Sequence, residues 1–269
     1  MKNLMIYVDR TGIGGFNKEH NDGALRAARI QIDNSLDLGW RKDDILIITN
    51  FEFKYNGVEA IVLPNCEEIF CRLHNERYDW IQVKTWVTPI LFERSILPID
   101  EEFWMHDFDA FQIHPFTHTG SADVRLTTFG FKDFTNGGSM FFKSNAWDLF
   151  LVAKNNLTKY KDVRMRGGYK MKYNEEFAWE DVYEDKIHKP RLEKLNITYN
   201  YGMRFKVFDE MWPQADKPIL VAHFHLEKKE VADGYHLYRA FCEGENPGGV
   251  EIVSGRLKKI FNDHGFCGQ

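Results

Sequence analysis

The feature that most constrains this chain is a series of short apolar runs with little polar alternation. Leu4-Met-Ile-Tyr-Val8 ends at Asp9, Asp44-Ile-Leu-Ile-Ile-Thr-Asn50 is almost unbroken, and Val58-Glu-Ala-Ile-Val-Leu63 stops at Pro64. A strand with one face in water alternates apolar and polar residues, whereas one that is apolar throughout is covered on both faces, as in a parallel sheet. Helical spacing lies between the runs. From Asp22, a good N-cap, Ala24, Ala27, Ala28, Ile30, Ile32 and Leu38 lead to Gly39, placed as the C′ residue. Ile69, Phe70 and Leu73 indicate a short helix, and Lys84 to Leu97 a second one interrupted near Pro89. Strands alternating with helices over residues 1–113 predict a doubly wound α/β sheet. Ligands of such sheets sit beyond the carboxyl ends of the strands, where Asp9, Thr49, Asn50, Asp107 and Asp109 gather.

The rest of the chain reads differently but shows no repeat, low-complexity segment or linker. A single domain over 1–269 is expected, with two specialised halves, 1–113 and 114–269. Val124 to Phe129 is strand or loop, and Phe134 to Phe142 is an apolar strand with Gly137 and Gly138 near its head. Ser144 caps a helix running through Trp147, Leu149, Phe150 and Val152. Leu157 to Asn174 carries Lys159, Lys161, Arg164, Arg166, Lys170 and Lys172, and reads as a solvated loop or as one that closes over phosphates. Phe177 to Tyr183 starts a helix, Ile197 to Val207 is a strand, and Pro218 to His225 is an apolar strand ending in two histidines.

The 269 residues are 43% hydrophobic and 28% charged, which suits a soluble globular protein with a real core. A net charge of −5 gives no broad attraction to nucleic acid or an anionic membrane. Cys66, Cys71, Cys242 and Cys267 form no CxxC pair, so reduced structural thiols are expected. No apolar run approaches the ~18 residues of a membrane span, and no secretory leader precedes Leu4. The expected location is the cytoplasm, that of a bacterium or of a host if the gene is viral. Aromatic residues, at 15%, fill cores and also serve as platforms for sugar and base rings.

Chemistry enters with Glu102-Phe-Trp-Met-His-Asp-Phe-Asp-Ala-Phe-Gln-Ile113. Read as a strand, its period of two points Asp107 and Asp109 to the same side. Two anions so close repel unless a cation lies between them, and carboxylate oxygens suit Mg²⁺ or Mn²⁺ with positions left open for phosphate. A solvent-facing pair at a strand end is the commoner use of such a tripeptide, so the rest of the chain must select the metal. Two further stretches bear on it. Asn136-Gly-Gly138 opens one strand, and His223-Phe-His225 closes another. The first turn, Arg10-Thr-Gly-Ile-Gly-Gly15, matches neither GxGxxG nor a GK[ST] phosphate loop.

This order of motifs, from Asp9 to Lys228, resembles the GT-A family of nucleotide-sugar glycosyltransferases. The resemblance implies a GT-A, Rossmann-like, mixed and mostly parallel sheet flanked by helices, with residues 1–113 as the nucleotide-binding half and 114–269 as the acceptor and sugar half. It implies a metal-dependent transferase with Mn²⁺ or Mg²⁺ as cofactor, a UDP-sugar as donor and a glycan or other hydroxyl as acceptor. On that resemblance Asp107, Asp109 and His223 hold the metal, with Asp107 also touching the donor ribose. Val8, Asp9 and Thr11 lie where the family binds the nucleobase, Lys84 and Lys228 face the donor, and Asn136, Gly137 and Gly138 face its sugar. At Leu226-Glu-Lys-Lys229 the chain departs from the Gly and Lys-Pro-Trp of some members.

Trp179-Glu-Asp181 fits either charge complementation at a helix N-terminus or, by resemblance to inverting members, a catalytic Glu180-Asp181 pair with Asp181 as general base. The His-Phe pattern resembles retaining members. Three rivals remain open: a metal-dependent phosphoester or nucleotide-sugar hydrolase, a nucleotidyltransferase, and a carbohydrate-binding protein without catalysis.

Overall fold

In the computed structural model the described residues are 1–9, 18–63, 71–72, 78–79, 83–116, 119–128, 133–159, 163–166, 169–172, 174–202, 212–224 and 255–265. Strand β1 (Lys2–Tyr7) leads to α1 (Lys18–Asp37) and β2 (Ile45–Thr49). A hairpin of β3 (Lys54–Tyr55) and β4 (Val58–Glu59) precedes β5 (Ile61–Val62), and the pair β6 (Cys71–Arg72) and β7 (Tyr78–Asp79) precedes α2 (Val83–Glu93). Then come β8 (Glu102–His106), β9 (Ala110–Gln112), β10 (Val124–Thr128), β11 (Thr135–Lys143) and α3 (Trp147–Lys159). The hairpin β12 (Val163–Arg166) and β13 (Tyr169–Lys172), helix α4 (Glu175–Glu184), β14 (Leu192–Leu195), β15 (Tyr201–Gly202), β16 (Val221–His223) and α5 (Gly255–Asp263) complete the order.

Seven strands form the central sheet in the order β14-β10-β11-β8-β1-β2-β5. β1 is parallel to β2 and β8, β2 to β5, and β10 to β14, while β11 runs antiparallel to β10 and β8. This is the expected mixed, mostly parallel sheet. Helices cover both faces, which is why the strands lack polar alternation. Leu4, Ile6 and Val8 pack with Val87, Leu91, Leu149, Phe150 and Trp179 on one side. Met5 points to the other, with Ile32, Ile45, Ile47 and Val58. A slip of one residue in β1 would exchange those two faces, so burial fixes the register. Many aromatic residues are core. Phe103, Phe142, Phe150 and Trp179 form a run of ring contacts with centroids 4.8–4.9 Å apart.

Several local expectations are corrected. The helix expected from Asp22 begins at Lys18. Its end is as expected, since Gly39 has φ +91° and Trp40 N donates to Ser35 O across it. Pro89 lies inside α2 and does not interrupt it. An interior proline removes one backbone hydrogen bond, but Val87, Pro89 and Leu91 are buried together, and that packing outweighs the local cost. Ile69, Phe70 and Leu73, on which a short helix was expected, lie outside the described residues; beside them Cys71–Arg72 and Tyr78–Asp79 pair as the strands β6 and β7. Ser144 begins a 3₁₀ turn, Ser144–Ala146, that leads into α3, so it is a residue of that turn and α3 itself begins at Trp147. The basic stretch contains the β12–β13 hairpin, so it is not loop throughout. Of the strand expected from Ile197 to Val207, Ile197–Tyr199 is a 3₁₀ turn, Tyr201–Gly202 is strand β15, and residues 203–207 lie outside the described set.

Candidate functional site

The sheet's antiparallel strand creates the site. Between β10 and β11 the register jumps from Leu126–Met140 to Thr127–Asn136, so residues 137–139 bulge out of the ladder. Thr127 Oγ1 ties the bulge down through Asn136 O at 3.0 Å and Ser139 O at 2.6 Å. The Asn136 side chain accepts from Gly138 N at 2.8 Å, and Asp107 N donates to Gly138 O at 2.9 Å. The bulge thus meets the end of β8, where the acidic pair begins.

Strand β8 ends at His106, and Asp107-Phe108-Asp109-Ala110 is a turn closed by Ala110 N donating to Asp107 O at 3.1 Å. Strand periodicity is therefore not what brings the two carboxylates together. The turn does so, and β9 then pairs antiparallel with β16 so that His223 lies opposite Ala110. Phe224 N donates to Asp109 O at 2.9 Å. His223 Nε2 is 3.2 Å from Asp109 Oδ1 and 3.8 Å from Asp107 Oδ2. One ligand atom from each of Asp107, Asp109 and His223 falls within 4.8 Å of the others. Two carboxylate oxygens and an imidazole nitrogen are a donor set that suits Mn²⁺ or Mg²⁺.

A second charge cluster abuts the first. Lys84, in the first turn of α2 and 5% exposed, sets Nζ 2.6 Å from Asp107 Oδ1, 3.7 Å from Glu175 Oε1 and in contact with Gly137 O. Burial opposes its charge, but Asp107 and Glu175 together hold the ammonium above its ordinary pKa. Glu175 is pushed up to about 7, by burial first, which outweighs the opposing charge of Lys84, and by the neighbouring carboxylates of Asp107 and Glu176 as well. Thr85 Oγ1 donates to Glu175 Oε2 at 3.2 Å and accepts from Trp179 Nε1 at 3.0 Å. The two glycines are needed for these neighbours. A Cβ on Gly137 would lie 2.6 Å from Glu175 Oε1, and one on Gly138 would lie 2.1 Å from His223 Cε1.

A layer of buried polar groups supports the turn from behind. His106 stacks on Trp104 at 3.8 Å, with Nδ1 2.8 Å from Asp107 O and Nε2 2.8 Å from Asn3 Oδ1. Burial lowers its pKa to about 3, so it is neutral at working pH. Gln31 of α1 donates through Nε2 to Phe108 O at 2.9 Å and Ala110 O at 2.7 Å.

With the sheet order, the antiparallel β11 and the acidic turn at the head of β9 assembled, comparison with solved structures is decisive for the fold. This chain is similar to the galactosyltransferase LgtC, solved with donor and acceptor sugar analogues, at TM-score 0.55 and 13% identity over 98% of this chain and 95% of that one. The chain has the GT-A fold. It is also similar to a glycosyltransferase involved in glycosylation of the major capsid of PBCV-1, at TM-score 0.51 and 12% identity over 88% and 99% of the two chains. A third likeness, to the glycosyltransferase GlyE of Streptococcus pneumoniae TIGR4, has TM-score 0.51 and 9% identity over 97% of this chain and 63% of that one. No protein-family model and no curated protein matches the sequence.

Within this GT-A frame the candidate residues divide. Asp107, Asp109, His223, Lys84, Asn136, Gly137 and Gly138 converge. Val8 is 5% exposed with its side chain in the core, and Asn50 engages both the N–H and the carbonyl of Asp9 at 2.7 and 3.1 Å. Glu180 and Asp181 lie in the second half of α4, because that helix begins at Glu175 behind the Asn174 cap; the N-terminal acids are Glu175 and Glu176. Both oxygens of Glu180 are engaged, Oε1 by Thr135 N and Oγ1 at 2.5 and 2.6 Å and Oε2 by Lys194 at 3.1 Å. Thr11, His225 and Lys228 lie outside the described residues.

Glu175, His106 and Gln31 escaped the sequence reading. A signal existed for two of them. Glu175 follows an Asn at a helix start, and Ala27, Gln31, Asn34 and Ser35 share one stripe of α1, so polar residues there interrupt an apolar face. His106 offered no signal beyond its neighbours.

Proposed function

We propose that this chain is a glycosyltransferase that moves a sugar from a nucleotide-sugar donor, read as a UDP-sugar, to an acceptor hydroxyl, with Mn²⁺ or Mg²⁺ held by Asp107, Asp109 and His223. The observation that carries this reading is the convergence of those three side chains at the mouth of a GT-A sheet. A divalent ion bound there acts as a Lewis acid that offsets charge on a departing diphosphate. The chain's own groups favour such an arrangement. Asp107 and Asp109 outweigh the charge of Lys84, so a diphosphate is repelled until a cation is added. Lys84 holds Asp107 Oδ1 and leaves Oδ2 turned towards His223. The bulge at residues 137–139 keeps side chains away from the turn.

Asp181 is the proposed general base, a role that rests on the resemblance of Glu180-Asp181 to the catalytic pair of inverting members; the Glu180 carboxylate itself is engaged by Thr135 and Lys194. Asp181 takes the proton of the acceptor hydroxyl as that oxygen bonds to the anomeric carbon, and the bond from that carbon to the diphosphate breaks. This is the inverting course, and NMR of the anomeric proton in the product tests it directly.

Calorimetric titration of UDP, GDP and the matching nucleotide sugars, with Mn²⁺ and then with EDTA, tests the whole reading. One nucleotide that binds with Mn²⁺ and is released by EDTA is expected. Asp109→Asn should lose that binding and turnover while keeping its circular dichroism and melting temperature. Metal-independent binding of every nucleotide, or a D109N variant with near wild-type transfer, would overturn the assignment. Nucleotide release that needs no acceptor would favour a hydrolase.

A further inference from the structure

We propose that Gln31 is a positioning residue for the metal site: its buried amide fixes the peptide groups on either side of Asp109 and, through them, the direction of the Asp109 carboxylate. The inference rests on the proposed metal reading of Asp107, Asp109 and His223.

Every carbonyl of the acidic turn accepts from a fixed donor. Asp107 O accepts from Ala110 N, and Asp109 O accepts from Phe224 N, which follows His223 in β16. The carbonyls of Phe108 and Ala110, before and after Asp109, both accept from Gln31 Nε2, at 2.9 and 2.7 Å. One side chain thus spans the residue whose carboxylate lies nearest to His223. Rotation about the Asp109 backbone would have to break one of those two bonds.

The amide is chosen for its N–H groups. Gln31 is fully buried in a helix whose neighbours Ala27, Ala28, Ile30 and Ile32 are apolar, and its Oε1 has no hydrogen-bond partner among the described residues. A Met or Leu fills similar volume without burying that oxygen, so core packing alone disfavours glutamine here. What a Met or Leu lacks is a donor for two carbonyls. The clamp is also well anchored. Ser35 Oγ donates to Gln31 O at 2.7 Å and accepts from Asn3, which reaches His106 behind Asp107. Asn34, one turn on, donates to Gln112 O at 2.9 Å and so holds β9 away from the turn.

The test uses the full chain and Mn²⁺ alone, with free ion followed by its EPR signal at a temperature well below each variant's Tm. Gln31→Met removes the donor at nearly constant volume. Asn34→Met removes a buried amide that bonds to β9 and to Arg256 of α5 but not to the turn, and so reports destabilisation alone. Gln31→Asn keeps an amide too short to reach both carbonyls, and serves if Q31M does not fold. Outer contacts that orient metal ligands alter affinity by roughly 10–100-fold. Q31M, or Q31N in its place, should therefore weaken Mn²⁺ binding about tenfold or more, while N34M stays within about twofold of wild type at a similar loss of Tm. Wild-type Mn²⁺ affinity in Q31M or Q31N, with D109N binding none, would overturn the role of Gln31 and leave the metal site standing. Absence of Mn²⁺ binding by the wild-type chain would overturn both.

Discussion

Glu175 holds its proton to about pH 7, whereas an exposed glutamate gives it up near 4.5. Between these values the folded state binds more protons than the unfolded chain, so this residue lowers stability as pH rises through that window, and its full cost is present above it. The shift corresponds to a few kcal/mol at most, since each pKa unit represents about 1.4 kcal/mol. Glu175→Gln keeps the shape and the acceptor for Thr85 but cannot ionise. Thermal melts at pH 4, 6 and 8 should show little difference from wild type at pH 4 and a relative gain for the variant at pH 8. A difference that does not change with pH would show that the carboxyl does not titrate in this range. Because Glu175 lies 3.7 Å from Lys84, which pairs with Asp107, nucleotide binding should carry the same pH dependence.

Among the elements, β11 has the most specific role. Its central stretch leaves the ladder, and Gly138 accommodates the His223 ring at a distance that no side chain permits. Gly138→Ala would place its Cβ 2.1 Å from Cε1 and 2.2 Å from Nδ1 of His223, so the ring or the bulge must move. Overpacking of this kind costs about 1–3 kcal/mol. Gly39→Ala is the contrasting case, with open space around the new methyl but φ at +91°. It should cost about 1 kcal/mol through backbone strain alone. Urea denaturation and Mn²⁺ titration of both variants separate the two effects: G138A should lose stability and metal affinity together, and G39A only stability. Wild-type metal affinity in G138A would mean that His223 is not a ligand.

At the scale of the whole molecule, the site joins parts of the chain that meet only when the fold closes: α2, the turn after β8, the β11 bulge, the first residue of α4 and the end of β16. Among the described residues no helix is long and apolar enough to cross a membrane. Ligand and metal bound across such a junction should stabilise the whole fold. With UDP and Mn²⁺ present at about a hundred times the dissociation constant, the expected gain is about 2.7 kcal/mol, seen as a rise in Tm that EDTA reverses. No rise with any nucleoside diphosphate would count against a diphosphate site. The α/β class, the parallel strands about β1 and the three metal-site candidates were legible in the sequence, because continuous apolar runs report burial on two faces and acids at strand ends report themselves. Local patterns misplaced the helix starts and broke α2 at Pro89, since packing across α2, α3 and α4 overrides propensity there. The sequence by itself determined which residues are apolar enough to build a doubly covered sheet and which acids and histidine stand at the ends of its apolar runs. Only the tertiary structure decided that a turn, not a strand, aligns Asp107 with Asp109, that Glu180 is occupied while Glu175 joins the site, and that Gln31 lies behind Asp109. Each depends on contacts between residues tens of positions apart, and no local pattern encodes those.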